Sequence, residues 1–341
     1  HQRGIHVGLC IDPTEGFYPH EQYYKQASEF LGVSDNKIIL FDPLNPKILD
    51  VWFKAFLHPL ENYGIDFFWN DYRGTSDPTN LWTTNHYLYL DSGRNSARRS
   101  MILARNGIYA PHLYPVLYGG SSEVSWEALK KLPFQYLNAA NIGVSWWSHD
   151  VGGNHGGIEE SELYIRYLEL SVYSPILRFH GARGPYYKRE PWLWDVKTEN
   201  IAADYLRLRH RLIPYLYTEA YNYTKSGTPL IQPFYYNYLW VYDDEHYKNQ
   251  YYFGSQLLVC PILDKKDPTM NRTVHRFFIP DGIWYDFRTG KKFPGNKKYV
   301  SFFKEEDYPV FAHAGSIIPL SNRSDYNNVG LPTDMEIQIF P

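Results

Sequence analysis

Asp71 closes a largely apolar run, Gly64-Ile65-Asp66-Phe67-Phe68-Trp69-Asn70. Such a run suits a buried parallel strand, and a carboxylate where that strand emerges is well placed for catalysis. The pattern recurs twice. His149 and Asp150 follow Asn141-Ile142-Gly143-Val144-Ser145-Trp146-Trp147-Ser148, and Arg178 and His180 end Ser174-Pro175-Ile176-Leu177-Arg178-Phe179-His180. Residues two apart on an extended strand share a face, which puts Trp69 with Asp71 and Arg178 with His180. Carboxylates, imidazoles and a guanidinium are thus expected beside indole rings. Aromatic faces suit the C–H faces of a sugar, and their polar tips suit its hydroxyls. The chemistry to expect is cleavage of a sugar bond.

Strands must carry these groups, and the sequence supplies them. Candidates are 5–11, 64–70, 101–105, 114–118, 142–148 and 174–179. Helical stretches at 20–31, 46–62, 84–99, 124–137, 159–171 and 200–226 separate them. Strands followed repeatedly by helices imply parallel β/α units over residues 1–228. The 46–62 helix has Pro46 at its start and a break expected at His58-Pro59. From 229 to 341 the pattern changes to short strands at 229–236, 256–262, 274–280, 283–287, 299–303, 309–311 and 316–320. Turn signals such as Pro280-Asp281-Gly282 and Arg288-Thr289-Gly290 divide them, so an antiparallel sandwich is expected. A further strand begins at 336. The fold class is therefore α/β, a partial (β/α)8 barrel followed by a β-sandwich. Six barrel strands are visible where closure needs eight, and the remaining pair is expected before residue 1.

The 341 residues carry a net charge of −3, so nothing draws the chain to nucleic acid or an anionic membrane. Aromatic residues make up 18%, including 32 Tyr and 10 Trp, which serve either a core or a sugar pocket. Cys10 and Cys260 both lie in apolar runs and are expected as buried thiols rather than a disulfide. No run of about 18 apolar residues marks a membrane helix. No signal peptide is visible, which makes a cytoplasmic location the default expectation. There is no helical His-x-x-x-His, no phosphate loop and no dinucleotide fingerprint, so neither metal nor cofactor is expected. The oligomeric state is open. Three glycosylation sequons, at Asn222, Asn271 and Asn322, read as chance matches in an Asn-rich chain.

The strand ends carry a family resemblance. Phe68-Trp69-Asn70-Asp71, Val144-Ser145-Trp146-Trp147-Ser148-His149-Asp150-Val151-Gly152-Gly153 and Ser174-Pro175-Ile176-Leu177-Arg178-Phe179-His180 resemble motifs of glycoside hydrolase family 31. So do Leu208-Arg209-His210-Arg211-Leu212-Ile213-Pro214-Tyr215-Leu216-Tyr217 and Ala314-Gly315-Ser316-Ile317-Ile318-Pro319. The resemblance covers nearly the whole chain in consistent order. It implies a (β/α)8 barrel and a β-sandwich, with an N-terminal sandwich, two barrel strands and a distal domain outside this chain. It also implies a retaining α-glycosidase acting on α-linked glucosides or oligosaccharides.

A retaining glycosidase needs two carboxyl groups about 5–5.5 Å apart, a nucleophile and an acid/base. The resemblance makes Asp71 the nucleophile, with Arg105 near it to keep it ionised. Trp69, Trp147, His149, Asp150, Arg178 and His180 would bind sugar. The acid/base position departs from the family: after Tyr114-Pro115-Val116-Leu117-Tyr118, alignment on Val124-Ser125-Trp126 puts Ser121 where an Asp is expected. A serine hydroxyl has no pKa suited to protonating a glycosidic oxygen. Three readings stay open. Glu123 substitutes as acid/base, or the acid step is impaired, or the chain is a carbohydrate-binding pseudoenzyme. Glu123 could equally be a first-turn helix residue favoured by the helix dipole.

Overall fold

The computed structural model describes every residue except 35, 74–76, 96, 97, 106–108, 115, 326, 328–331 and 333. Pro115, which figures in the motifs above, lies outside the described residues. The chain forms two compact units, His1–Gly120 and Ser121–Pro341.

In the first unit, β1 (Gly8–Ile11), β2 (Phe67–Asn70), β3 (Ile102–Arg105) and β4 (Val116–Tyr118) pair in parallel in chain order. Parallel neighbours need a crossover, and the helix Pro78–Ser92 supplies one between β2 and β3. That helix begins six residues before the expected start. Asp77 caps it by accepting from the Thr79 N–H, and Pro78 fills its first position. The stretch between β1 and β2 is covered by an aromatic cluster: Phe17 stacks on Phe56 at 4.4 Å, and Phe41 sits edge-on to Trp52 and Tyr72.

The kink expected at His58-Pro59 takes a specific form. The helix runs Pro46–Val51, widens to a π-helix over Trp52–Leu57, and resumes as His58–Asn62. Pro59 has no N–H to give the carbonyl four residues back, so the backbone shifts its hydrogen-bond register instead of breaking. Cys10 corrects an expectation: it is exposed, whereas Cys260 is buried. β1 has a strand neighbour on one side only among the described residues, which leaves its side chains thinly covered.

The second unit opens with the helix Trp126–Asn141, capped by Ser125, and continues to β5 (Trp147–Ser148). The strand expected at 174–179 is reduced to one parallel bridge, Ser148 to Ile176. The helix expected at 200–226 is two, Val196–Arg211 and Ile213–Ser226, because Pro214 cannot continue the first. Helix Ser161–Val172 is the hub: every residue from Glu162 to Val172 is buried.

The strands that follow are β6 (Ile231–Pro233), β7 (Tyr251–Phe253), β8 (Leu257–Val259), β9 (Thr273–Ile279), β10 (Ile283–Asp286), β11 (Lys292–Pro294), β12 (Lys297–Phe303), β13 (Val310–His313), β14 (Ile317–Ser321) and β15 (Met335–Ile339). A six-stranded antiparallel sheet runs β11-β10-β13-β8-β7-β6. The β9–β12 ribbon covers one face of it, with Phe277 stacked on Phe311 at 5.1 Å. The other face joins the core of helix Ser161–Val172 through Tyr251, Phe253 and Val310. β7 and β11 escape the sequence reading.

Candidate active site

β2 ends at Asn70, and each residue around that end has a distinct partner. Asn70 is buried, gives its amide to Asn85 Oδ1 at 2.7 Å, and accepts from the Tyr72 N–H. The Asp71 N–H donates to the Ile11 carbonyl at 2.9 Å, which extends the β1–β2 ladder by one rung. Asn70 thus faces away from the site, and Asp71 is fixed at the strand mouth. Arg105, last residue of the adjacent β3, donates from Nη1 to Asp71 Oδ1 at 2.8 Å. The two side chains keep 17% (Asp71) and 29% (Arg105) of their surface exposed. The hydrogen bond to Asp71 raises the Arg105 guanidinium above its ordinary value, against an opposing pull of burial, and so it stays charged. Trp69 packs edge-on against Tyr118 at 5.2 Å, so Tyr118 closes this wall. The motifs did not single out Tyr118, although its place at the end of β4 was a signal. Asp12 forms a turn, accepting from the Thr14 N–H, and lies 3.6 Å from the Arg73 guanidinium.

In the second unit, Ser121 and Glu123 are both exposed. Glu123 is not in the first turn of a helix, since that helix starts at Trp126 and its acidic first-turn residue is Glu127. Its backbone instead bridges in parallel to His155, and the Val124 N–H donates to the His155 carbonyl. Gly152 and Gly153 have φ of +86° and +79°, the left-handed region that glycine tolerates. A Cβ on Gly153 would come within 2.7 Å of the Glu123 carbonyl oxygen, and one on Gly157 within 1.9 Å of the Val124 oxygen. The loop therefore lies backbone on backbone against residues 123–124. The Glu123 carboxylate reaches over Gly156, where a Cβ would sit 3.8 Å from Oε1. Arg189 locks the loop from behind, donating to the Gly153 carbonyl and to Glu159 at 2.8 Å. Nothing in the local sequence marked Arg189.

Asp150 is buried and accepts from Arg178 Nη2 at 2.6 Å, while Arg178 Nε donates to Ser148 Oγ at 2.9 Å. This is the Arg–carboxylate pair that two polar strand ends can form. Burial pushes the Tyr167 phenol well up, with Asp150 and Glu123 adding to it. His180 lies half-buried two residues beyond Arg178, and Trp147 is half-buried on β5.

His149 departs from its expected role. It is buried, with Nδ1 2.8 Å from the Tyr136 hydroxyl and Nε2 2.8 Å from Ser171 Oγ. Ser171 already donates to the Tyr167 carbonyl, so its oxygen accepts from His149 Nε2–H, and Tyr136 donates to Nδ1. Burial, helped by Arg178, lowers the His149 pKa to about 3, which keeps the ring neutral. Both ring nitrogens are spent inside the core, and none is left for a sugar hydroxyl. A His next to Asp150 on the alternating strand end points the opposite way.

Among the described residues no group of three His, Cys, Asp or Glu converges as a metal site, and no helix is long and apolar enough to cross a membrane.

Residues 1–219 match the glycosyl hydrolases family 31 TIM-barrel domain, and residues 227–318 match the family 31 C-terminal domain. The isomaltosyltransferase of Sporosarcina globispora is 26% identical over 275 residues, covering 75% of this chain and 25% of that enzyme. Alpha-glucosidase 2 of Bacillus thermoamyloliquefaciens is 30% identical over 233 residues, 67% of this chain and 28% of that one. A family 31 dextranase of Flavobacterium johnsoniae, solved with isomaltotriose, superposes with a TM-score of 0.82 at 22% identity, over 98% of this chain and 46% of the dextranase. The chain spans between a quarter and a half of the length of the curated relatives it matches. A TIM-barrel domain followed by a β-rich domain, matched along both parts, makes this chain a member of glycoside hydrolase family 31.

Proposed function

We propose that the chain carries the nucleophile side of a retaining α-glycosidase or α-glucosyltransferase that acts on α-linked oligosaccharides. The observation that carries this reading is the Arg105–Asp71 pair at the mouths of adjacent parallel strands. Arg105 engages Oδ1 and leaves Oδ2 to attack the anomeric carbon. The bond from Asp71 to the sugar forms as the glycosidic oxygen leaves, and water or a second sugar later reclaims the glycosyl unit. Similarity to an isomaltosyltransferase and an α-glucosidase supports an α-glucosyl donor and leaves both acceptors in play. The barrel part is proposed to span 1–228 and the sandwich 229–341. By the family resemblance, Trp69 and Tyr118 of the first unit would contact sugar, and so would Trp147 and His180 of the second. The Arg178–Asp150 pair would order the strand ends of the second unit, and His149 would brace them from the core.

The test is intact mass after incubation with 5-fluoro-α-glucosyl fluoride. Fluoride leaves with little acid help, and the ring fluorine slows release. A gain of one fluoroglucosyl unit on Asp71 supports the reading. A folded chain that takes no label from this or the xylosyl analogue overturns it.

Ser121 favours a second reading, a carbohydrate-binding pseudoenzyme that lacks the acid step. Glu123→Gln separates the two. Loss of hydrolysis on an unactivated disaccharide with labelling intact makes Glu123 the acid/base. A wild type that binds the disaccharide without turning it over makes the chain a binder.

A further inference from the structure

A groove of about 860 Å³ lies in the second unit between helix Trp126–Asn141 and the edge of the β-rich domain. It falls within the size of ordinary small-molecule sites, about 300–1,000 Å³. None of the residues proposed above for catalysis or sugar binding lines it. Two aromatic side chains on its walls, Phe134 and Tyr242, are 64% and 57% exposed, a large apolar surface to leave in water.

The walls are held rigid. Asn141 gives its amide N–H to the Tyr235 hydroxyl at 2.8 Å and accepts at Oδ1 from Tyr236 at 2.6 Å. Tyr235 in turn packs edge-on against Tyr242 at 5.3 Å. Because Tyr235 accepts from Asn141, its own O–H remains to donate into the groove. Asn249 is half-buried on the same wall, and its side-chain amide has no partner among the described residues. Asn138 uses only its N–H₂, toward the Phe134 carbonyl, and keeps its oxygen. Part of the charge in the groove is paired. Lys130 pairs with Asp264 at 3.2 Å, and Lys248 with Glu245 at 2.6 Å. Arg276 donates to His246 Nε2 at 2.7 Å, which spends part of its fork. Lys131 and Arg276 also line the groove without a carboxylate partner among the described residues.

Exposed ring faces beside unspent amide and hydroxyl groups match a ligand with alternating C–H faces and hydroxyl edges. We infer that this groove is a second oligosaccharide-binding site, built without Asp71, that takes an α-linked glucan chain. The choice of glucan rests on the proposed function. The groove's own side chains call only for a sugar. Preordered tyrosines reduce the entropy lost when a chain docks.

The test titrates isomaltotetraose and maltotetraose calorimetrically into the chain, with Asp71→Ala, Phe134→Ala and Tyr242→Ala singly and with each groove change in the Asp71→Ala background. Phe134 and Tyr242 are exposed, and melting temperatures check that their variants stay folded. The expected result is binding that survives Asp71→Ala and weakens about fivefold or more with either groove substitution in both backgrounds. Labelling of Asp71 by the fluoro-sugar is expected unchanged in Tyr242→Ala. Binding that disappears with Asp71→Ala, binding indifferent to both groove variants, or no binding of either glucan to the folded wild type would each overturn the inference. Failure of the catalytic reading shows separately, as absence of fluoro-sugar label whatever the groove binds.

Discussion

Two arginine–carboxylate pairs occupy opposite kinds of place in this molecule. Arg105–Asp71 stands at the mouths of β2 and β3 with both partners partly open to solvent. Arg166–Glu169 lies one turn apart on the buried helix Ser161–Val172, at 2.8 Å and with no exposed surface on either side chain. The buried arginine also donates to backbone, with the Asp307 carbonyl on Nη1 and the Lys304 carbonyl on Nη2. It thereby ties the helix to the segment before β13. Burial raises Glu169 to about 8, against the opposing pull of Arg166. Sealing a pair away from water costs more than the attraction returns unless hydrogen bonds complete it. The open pair spends one carboxylate oxygen on its arginine and leaves the other for chemistry, while the sealed pair joins two parts of the fold.

The sharpest way to break this contrast is Asp71→Asn. The amide keeps the shape and loses the nucleophile, so covalent labelling and turnover should fall by about 10⁴-fold or more while the melting temperature barely moves. An equal loss of stability would make Asp71 a structural residue like Glu169.

Arg166→Met should do the reverse. Removing one partner of a buried pair is expected to cost about 3–5 kcal/mol in urea denaturation, and Arg166→Met with Glu169→Leu should recover much of it. The loss should be greater at pH 9 than at pH 6. A carboxyl whose folded pKa is raised lends stability that is lost as pH rises through that value. Equal losses at both pH values would mean that Glu169 does not titrate in the folded state.

Arg105→Lys should lower the labelling rate about 10²-fold, since a point charge cannot hold Oδ1 as a planar guanidinium does. A rate within threefold of wild type would reduce Arg105 to a bystander.

The smallest expected effect belongs to His149. Its folded pKa, about 3, lies below the unfolded value of 6.5, so the unfolded chain binds the extra proton. Its contribution to stability is present above pH 6.5 and is lost as pH falls toward 3. Against His149→Asn, the wild type should show a steeper decline over that window, by at most about 1.4 kcal/mol per pH unit. Parallel pH–stability curves would place the ring in contact with solvent.

The sequence made the strand ends legible because burial and chemistry meet there in short, sharply bounded runs. Asp71, Arg105, Asp150 and Arg178 were each readable as polar residues closing an apolar run. The pairing of Arg178 with Asp150 was harder to see, since which groups meet depends on the register of strands far apart in the chain. His149 misled because adjacency to Asp150 says nothing about direction, and Tyr136 and Ser171, which claim its ring, sit on two helices. The π-helical turn before Pro59 shows another limit: proline announces a disturbance, and tertiary packing decides whether it becomes a break or a widened turn.

The loop glycines carry a consequence for how this sequence can vary. At 153 and 157 there is no volume for even a methyl group, because the space belongs to the backbone of Glu123 and Val124. A library that randomised both loops and selected for a folded product should return glycine at those two positions, while accepting many side chains at 121–123. Novelty at the departed acid position is therefore confined to what a side chain can supply. The path of the main chain beneath it is not open to trial.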